Sequence, residues 1–213
     1  MDKNQETFAT WNKMANLYQD KFMDLDIYNE SYDCFLAELE SADSSALDLG
    51  CGPGNITKFL LSKNQNLIIT GVDVAENMVD LAKKNNPTAN FSVLDIRQLN
   101  QLPTSFDGVI CGFAIPYLST EETKQLISQV SDKLNTNGIF YLSFVAGDTS
   151  KSDFKTNSVG DRVYFYYHDL QLVSSNLKEA KFSILKQFSI PYSAANGQQE
   201  THTVIITKKT ATL

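Results

Sequence analysis

Three glycines at alternating positions follow a short apolar segment that contains an acid, in the run Ala46-Leu47-Asp48-Leu49-Gly50-Cys51-Gly52-Pro53-Gly54-Asn55. Glycine at these positions removes the side chains that would hold the backbone away from a ligand, and it permits positive φ where the chain reverses. The spacing predicts a helix over residues 55–62. Its unpaired N–H groups and positive dipole end would point at the same spot, which suits an anion such as a carboxylate. The chemistry this implies is the holding of a nucleoside with a charged appendage. A dinucleotide loop reads G-x-G-x-x-G; here the second spacing is one residue short and Asn55 stands where the last glycine belongs.

Further strand-like segments carry candidate contacts at their ends. The segment 67–72 ends at Asp73-Val74, about 20 residues past the glycine loop, where a nucleotide-binding fold places an acid for ribose hydroxyls. The segment 90–94 ends at Asp95-Ile96, and 106–113 carries Cys111 and Phe113 near its end. A fifth, 138–144, follows Leu134-Asn135-Thr136-Asn137-Gly138.

The pattern Asp48-x-Gly50-x-Gly52-x-Gly54, with these segments in this order over nearly the whole chain, resembles the class I S-adenosylmethionine-dependent methyltransferases. The resemblance implies S-adenosyl-L-methionine as cofactor and a Rossmann-like fold. It implies that Asp48 organises the methionine ammonium and that the Gly50, Cys51, Gly52 and Gly54 backbone lies against the methionyl and ribose portions. Asp73, with Val74 beside it, would take the ribose hydroxyls. Asp95 would take the adenine amino group, Ile96 would pack on the ring, and Cys111 would offer its carbonyl to the ammonium. In the family the first helix is a mobile lid, and Tyr18 matches the tyrosine that sits over the cofactor. The fourth motif reads Gly112-Phe113-Ala114-Ile115-Pro116-Tyr117 and lacks the Asn/Asp-Pro-Pro-Tyr/Phe quartet, so amino-methylation of nucleic-acid bases or glutamine loses its usual support.

The elements that must position these residues are legible from periodicity. Residues 7–22 place Trp11, Met14, Leu17 and Tyr18 at helical spacing, and Tyr28, Tyr32, Phe35, Leu36 and Leu39 repeat the pattern. Residues 76–85 read as a helix closed by Asn85-Asn86-Pro87. Ser119-Thr120-Glu121-Glu122 is a capping box in front of a helix expected to run to the Asn137-Gly138 stop. Residues 146–162 form a polar insertion, long for an αβ loop and expected to be a flap. An aromatic run, Val163-Tyr164-Phe165-Tyr166-Tyr167, precedes His168-Asp169 and another helix. Residues 182–190 and 201–207 read as a closing antiparallel hairpin. Alternating strands and helices imply parallel strands with ligands at their carboxyl ends. The expected fold is α/β: a seven-stranded, mostly parallel sheet with a C-terminal antiparallel hairpin and helices on both faces. One domain is expected over 1–213, with 1–40 as an N-terminal helical lid or cover.

Methyl transfer from a sulfonium needs alignment and exclusion of water more than it needs catalytic side chains. Tyr117 and His168 are the candidates for a catalytic role, and Phe113, Pro116, Tyr117, Tyr166 and His168 for acceptor binding; His202 reads as structural or exposed. The net charge of −7 and pI near 4.8 disfavour nucleic acid and anionic membranes, since phosphate binding needs a basic surplus. The expected partner is a small-molecule acceptor. Cys34, Cys51 and Cys111 show neither disulfide nor zinc-ligand spacing, no metal site is expected, and the chain reads as a cytoplasmic monomer or homodimer. Two alternatives stay open: an NAD(P)-dependent oxidoreductase, and a protein that binds S-adenosylmethionine without turnover.

Overall fold

The first strand, β1 (Ser45–Leu49), is short because its apolar run gives way to the glycine loop. The computed structural model describes residues 3–102, 105–157, 159–193, 197 and 199–210. Helices α1 (Lys3–Lys13), α2 (Ala15–Phe22) and α3 (Asn29–Ala37) precede β1, and α4 (Asn55–Lys63) follows it. Then come β2 (Ile68–Asp73), α5 (Glu76–Asn85), β3 (Asn90–Val93), β4 (Phe106–Gly112), α6 (Thr120–Lys133) and β5 (Leu134–Val145). The chain ends with β6 (Asp153–Thr156), β7 (Arg162–Phe165), α7 (Leu170–Glu179), β8 (Phe182–Ser193) and β9 (Gln199–Lys209).

Seven strands form one sheet in the order β3-β2-β1-β4-β5-β9-β8. The first five are parallel, and β9 enters antiparallel between β5 and β8. The order reverses between β1 and β4, which opens a crevice at their carboxyl ends, where an open α/β sheet binds its ligand. The expected fold class is the observed one.

Alternation along the strands divides the core in two. On one face Leu47, Leu49, Val109 and Leu142 pack against Leu126, Ile127 and Val130 of α6 and Val173 and Leu177 of α7. On the other, Ala46, Ile110 and Tyr141 pack against Tyr32 and Phe35 of α3 and Ile56 and Leu60 of α4. Asp48 shares the second face with Ala46 and is fully buried there. α6 carries the expected capping box: Glu122 N–H donates to Ser119 Oγ and Ser119 N–H donates to Glu122 Oε2.

Three expectations change. The helix read over 7–22 is two helices, broken at Met14 (φ −91°, ψ 9°). The break shifts the helical phase, and Leu17 is 60% exposed. α6 stops at Lys133, because Leu134 already pairs with Phe106 on β4; the Asn137-Gly138 turn survives inside β5, with Asn137 at φ 65°. The polar insertion is not a free flap: β6 and β7 form a two-stranded antiparallel ribbon docked on α1. Thr10 Oγ1 donates to the Arg162 carbonyl at 2.8 Å, Tyr164 N–H donates to Thr7 Oγ1 at 3.0 Å, and Glu6 and Lys13 pair with Arg162 and Asp161. Polar residues recur in this segment because they hold the N-terminal helix down. No helix among the described residues is long and apolar enough to cross a membrane.

Candidate functional site

The turn after β1 is set by backbone hydrogen bonds. Gly50 N–H and Cys51 N–H both donate to the Val72 carbonyl, at 2.8 and 3.0 Å, and Gly54 N–H closes back on the Cys51 carbonyl. Gly52 has φ +52°, a conformation that disfavours any side chain, and a Cβ there would project toward the Tyr18 ring at 3.6 Å. Gly54 has a different reason to be glycine: a Cβ would lie 2.4 Å from Asn86 Nδ2, whose amide donates to the Gly54 carbonyl. Its missing side chain lets α4 approach α5. It lines no part of the cleft described below, so the structure corrects the expectation that Gly54 meets a ligand.

A cleft of roughly 750 Å³, counting the space open to solvent, lies at the strand ends. It brings together Tyr18, Gly50, Gly52, Asp73, Val74, Asp95, Ile96, Phe113 and Tyr117, all expected from sequence. Phe8 and Trp11 of α1, Met78 of α5, and Gly112, Ala114 and Leu118 complete its wall. The sequence reading missed these; a helical stripe at Phe8 and Trp11 gives no sign of whether it faces a core or a cavity.

Asp73 stands at the end of β2 with each carboxylate oxygen already fixed. Gly52 N–H donates to Oδ2 and Ala75 N–H to Oδ1, both at 2.9 Å. A carboxylate accepts about four hydrogen bonds, so with the Val74 N–H also beside it at least one acceptor direction stays open. Burial raises its pKa, opposed by the backbone donors of Ala75, Gly52 and Val74. Asp95 lines the cleft and also caps the 3₁₀ turn Ile96–Gln101 by accepting from Arg97 N–H. The Arg97 guanidinium forks onto Asp95 and reaches Glu122 at 3.0 Å, and it lies 5.2 Å from the Phe8 ring centre. One arginine therefore joins this strand end, α6 and α1.

Beneath the glycine loop, Asp48 accepts from Thr57 Oγ1 at 2.8 Å through Oδ2, while its Oδ1 is buried without a hydrogen-bond partner. Burial pushes its carboxyl up to about 7, with the nearby Asp73 adding to the rise and the Thr57 bond opposing it. A buried, half-satisfied carboxylate is costly on its own. Asp48 lines neither cavity, so it would act on an ammonium in the cleft from beneath the loop, directly or through water.

Five further residues line neither cavity, which for Pro116, Tyr166 and His168 departs from the acceptor contact expected of their side chains. Cys51 packs with Val79, Ala82 and Phe91, and Cys111 lies in the core beneath α6; burial raises both thiols, Cys111 to about 12, and the contact expected of each is through its backbone, not its sulfur. Pro116 is buried, and its carbonyl accepts from Tyr166 N–H at 2.7 Å. Tyr166 turns away toward Lys3 of α1, because strand alternation from β7 puts Phe165 on the cavity side. His168 is 2% exposed, and its Nε2 pairs with the Ile115 carbonyl at 2.8 Å. It braces the Ile115–Tyr117 turn from behind and lines neither cavity.

A second cavity, roughly 870 Å³, meets the first along Trp11, Tyr18, Gly50, Gly112, Phe113 and Tyr117. Its outer wall carries Phe22, Tyr28, Phe165, Tyr192, Glu200 and His202. Trp11 sits edge-on to Tyr18 at 5.5 Å and to Tyr117 at 5.4 Å, forming the partition. His202, read from sequence as structural or exposed, is 6% exposed and in this wall.

Fold and site together define a nucleoside-binding α/β protein of the methyltransferase type, and comparison with known proteins gives the same answer. Residues 46–138 match the family model described as a methyltransferase domain. A putative methyltransferase of Invertebrate iridescent virus 6 is 24% identical over 208 residues, covering 90% of this chain and 74% of that protein. An uncharacterized methyltransferase of Oceanobacillus iheyensis is 30% identical over 149 residues, covering 68% and 66%. The solved magnesium protoporphyrin IX methyltransferase of Synechocystis, with bound S-adenosylmethionine, superposes with TM-score 0.73 at 17% identity, over 99% of this chain and 98% of that one. The chain belongs to the class I S-adenosylmethionine-dependent methyltransferase family, and S-adenosylmethionine is its cofactor. The oxidoreductase alternative falls with this finding, as the short glycine spacing suggested.

Proposed function

We propose that the protein transfers a methyl group to a small-molecule acceptor held in the aromatic cavity beyond the Trp11–Tyr117 partition. The observation that carries this reading is the pair of adjoining cavities, one lined by the nucleoside-type residues and the other by aromatic rings. The residues fit the cofactor: Asp48 would offer its unpaired buried carboxylate oxygen to the ammonium, and Asp73 would accept from a ribose hydroxyl in the direction its three backbone donors leave open. Gly50 and Gly52 would leave the loop open to it, Val74 and Ile96 would flank its rings, Asp95 would lie at its adenine edge, and Tyr18 would cover it. When bound, S-adenosylmethionine supplies a methyl group already activated by its positive sulfur.

The chain's own residues have two tasks, alignment and drying. α1, clamped by Asp161 and Arg162, carries Phe8 and Trp11 over the opening. Tyr18, Tyr117 and Phe113 present ring faces around the junction, where a sulfonium cation is stabilised by aromatic quadrupoles. The net charge of −7 disfavours a polyanionic acceptor. The Synechocystis relative is named for a small-molecule substrate, which supports the same class.

Calorimetry with S-adenosylmethionine and with NAD, followed by a screen of metabolite pools with methyl-labelled cofactor, tests the reading. Cofactor heat and a labelled small product are expected. Cofactor heat with no labelled product from any pool would favour a non-catalytic binder.

A further inference from the structure

Tyr28, Glu200 and His202 are brought together from opposite ends of the chain, and they share the acceptor-side wall. Tyr28 stands at the start of α3, and its Oη lies 2.5 Å from His202 Nδ1. Glu200 Oε2 lies 3.7 Å from His202 Nε2. The imidazole is held between the Tyr192 ring, stacked at 4.5 Å, and the Phe113 ring, also at 4.5 Å. Phe113 lines both cavities, so this cluster borders the junction where transfer takes place.

The arrangement fixes proton positions. A neutral phenol donates to the lone pair of Nδ1, which leaves the ring proton on Nε2, facing the Glu200 carboxylate. Tyr28 is held neutral, since burial raises its phenol well above the ordinary value, with Tyr141, Tyr18, Tyr192 and Glu200 adding to the rise. Burial lowers His202, opposed by Glu200, while Lys155 of β6, 3.5 Å from Glu200, lowers it further. The imidazole is therefore neutral near pH 7, with its Nδ1 lone pair turned to Tyr28. The groups facing it are Tyr28, Tyr192, Glu200 and, through Glu200, Lys155.

Resting on the methyltransferase reading, we propose that Tyr28, His202 and Glu200 form a proton-accepting relay, and that the acceptor is an uncharged aromatic hydroxyl compound of the phenol class. In the step, the acceptor oxygen forms its bond to the methyl carbon as the methyl–sulfur bond breaks. The acceptor's proton passes to Tyr28 Oη, the Tyr28 proton passes to His202 Nδ1, and Glu200 balances the imidazolium until it loses the proton to water. A carboxylic acid is already ionised at neutral pH and would face Glu200. An aliphatic hydroxyl is a far weaker acid and offers no ring to the aromatic wall. A phenol matches both the relay and the ring-lined wall.

The test uses the full chain saturated with S-adenosylhomocysteine, which cannot donate a methyl group, titrated with 4-nitrophenol. Phenolate absorbance reads the probe's ionisation, and nitrogen NMR of the imidazole reads His202. Bound probe is expected to ionise about one pH unit below free probe, as His202 gains a proton. His202→Gln and Tyr28→Phe are expected to hold S-adenosylhomocysteine within about twofold of the parent and to lose that shift. With S-adenosylmethionine present, they are expected to methylate the probe about 100- to 10,000-fold more slowly. A probe that binds as the neutral phenol beside an unchanged imidazole overturns the relay, and the measurement on the parent alone decides this even if a variant fails to fold. A parent that binds S-adenosylhomocysteine but not the probe overturns the acceptor class. A parent that binds neither refutes the cofactor reading instead.

Discussion

Replacing Asp48 by Asn should have two opposite effects, because the same half-satisfied carboxylate that the fold tolerates poorly is the one we propose for the cofactor's ammonium. Asp48 is fully buried, and its carboxyl is pushed up to about 7 chiefly by that burial. Moving a carboxyl from its ordinary value of 3.8 to about 7 corresponds to about 4 kcal/mol against the ionised form. The sign follows from proton counting. Between about pH 4 and about pH 7 the native carboxyl keeps a proton that the unfolded chain has lost, so stability falls as pH rises through that window and is level above it. Asn carries no charge at any pH, and its carbonyl can still accept from Thr57. Urea unfolding of the cofactor-free protein should therefore show Asp48→Asn more stable than the parent by up to about 4 kcal/mol near pH 8, with the gain vanishing toward about pH 4. Calorimetry near pH 8 should show S-adenosylmethionine bound about 10- to 150-fold more weakly, the loss of about 1.5–3 kcal/mol from one charge-assisted hydrogen bond. A variant less stable than the parent near pH 8, or equally stabilised near pH 4, would refute the reasoning.

Other substitutions separate ligand contact from packing. Gly52→Val is expected to abolish cofactor binding while costing about 1–2 kcal/mol from its positive φ, whereas Gly54→Ala should cost more in thermal unfolding because its Cβ meets Asn86. Asp73→Ala should weaken S-adenosylmethionine by about 10- to 100-fold; unchanged affinity would reduce Asp73 to a loop anchor for Gly52 and Ala75. Trp11 is the single tryptophan of the chain and lines both cavities, so its fluorescence should shift on cofactor titration. Tyr117→Ala should lower kcat or raise the acceptor KM with cofactor affinity nearly intact.

The strand-end residues were legible because each is announced locally. An apolar strand, a breaking glycine or acid, and a helix start occupy consecutive residues, and parallel topology then collects all such ends at one crevice. That is why Asp73-Val74 and Asp95-Ile96, read separately, line the same cleft. What stayed illegible depends on phase or on distance. Glycines at equal spacing look alike in sequence, yet Gly52 borders the cavity and Gly54 admits Asn86. In Tyr164-Phe165-Tyr166 every residue suits a wall, and only the pairing of β7 with β6 decides that Phe165 faces in.

His202 shows the limit most clearly. It meets Tyr28 across 174 positions, and the contact exists only because β9 enters antiparallel between β5 and β8. A parallel last strand would put the start of β9, and with it Glu200 and His202, at the opposite end of the sheet from the glycine loop. One trace was present: Glu200 and His202 are two apart on a strand and so share a face. A polar pair at the head of a face that continues with Val204 and Ile206 asks for a polar neighbour. The antiparallel entry of β9 supplies it by setting that face against the start of α3, and so brings acid–base groups to a wall built by the N-terminal helices.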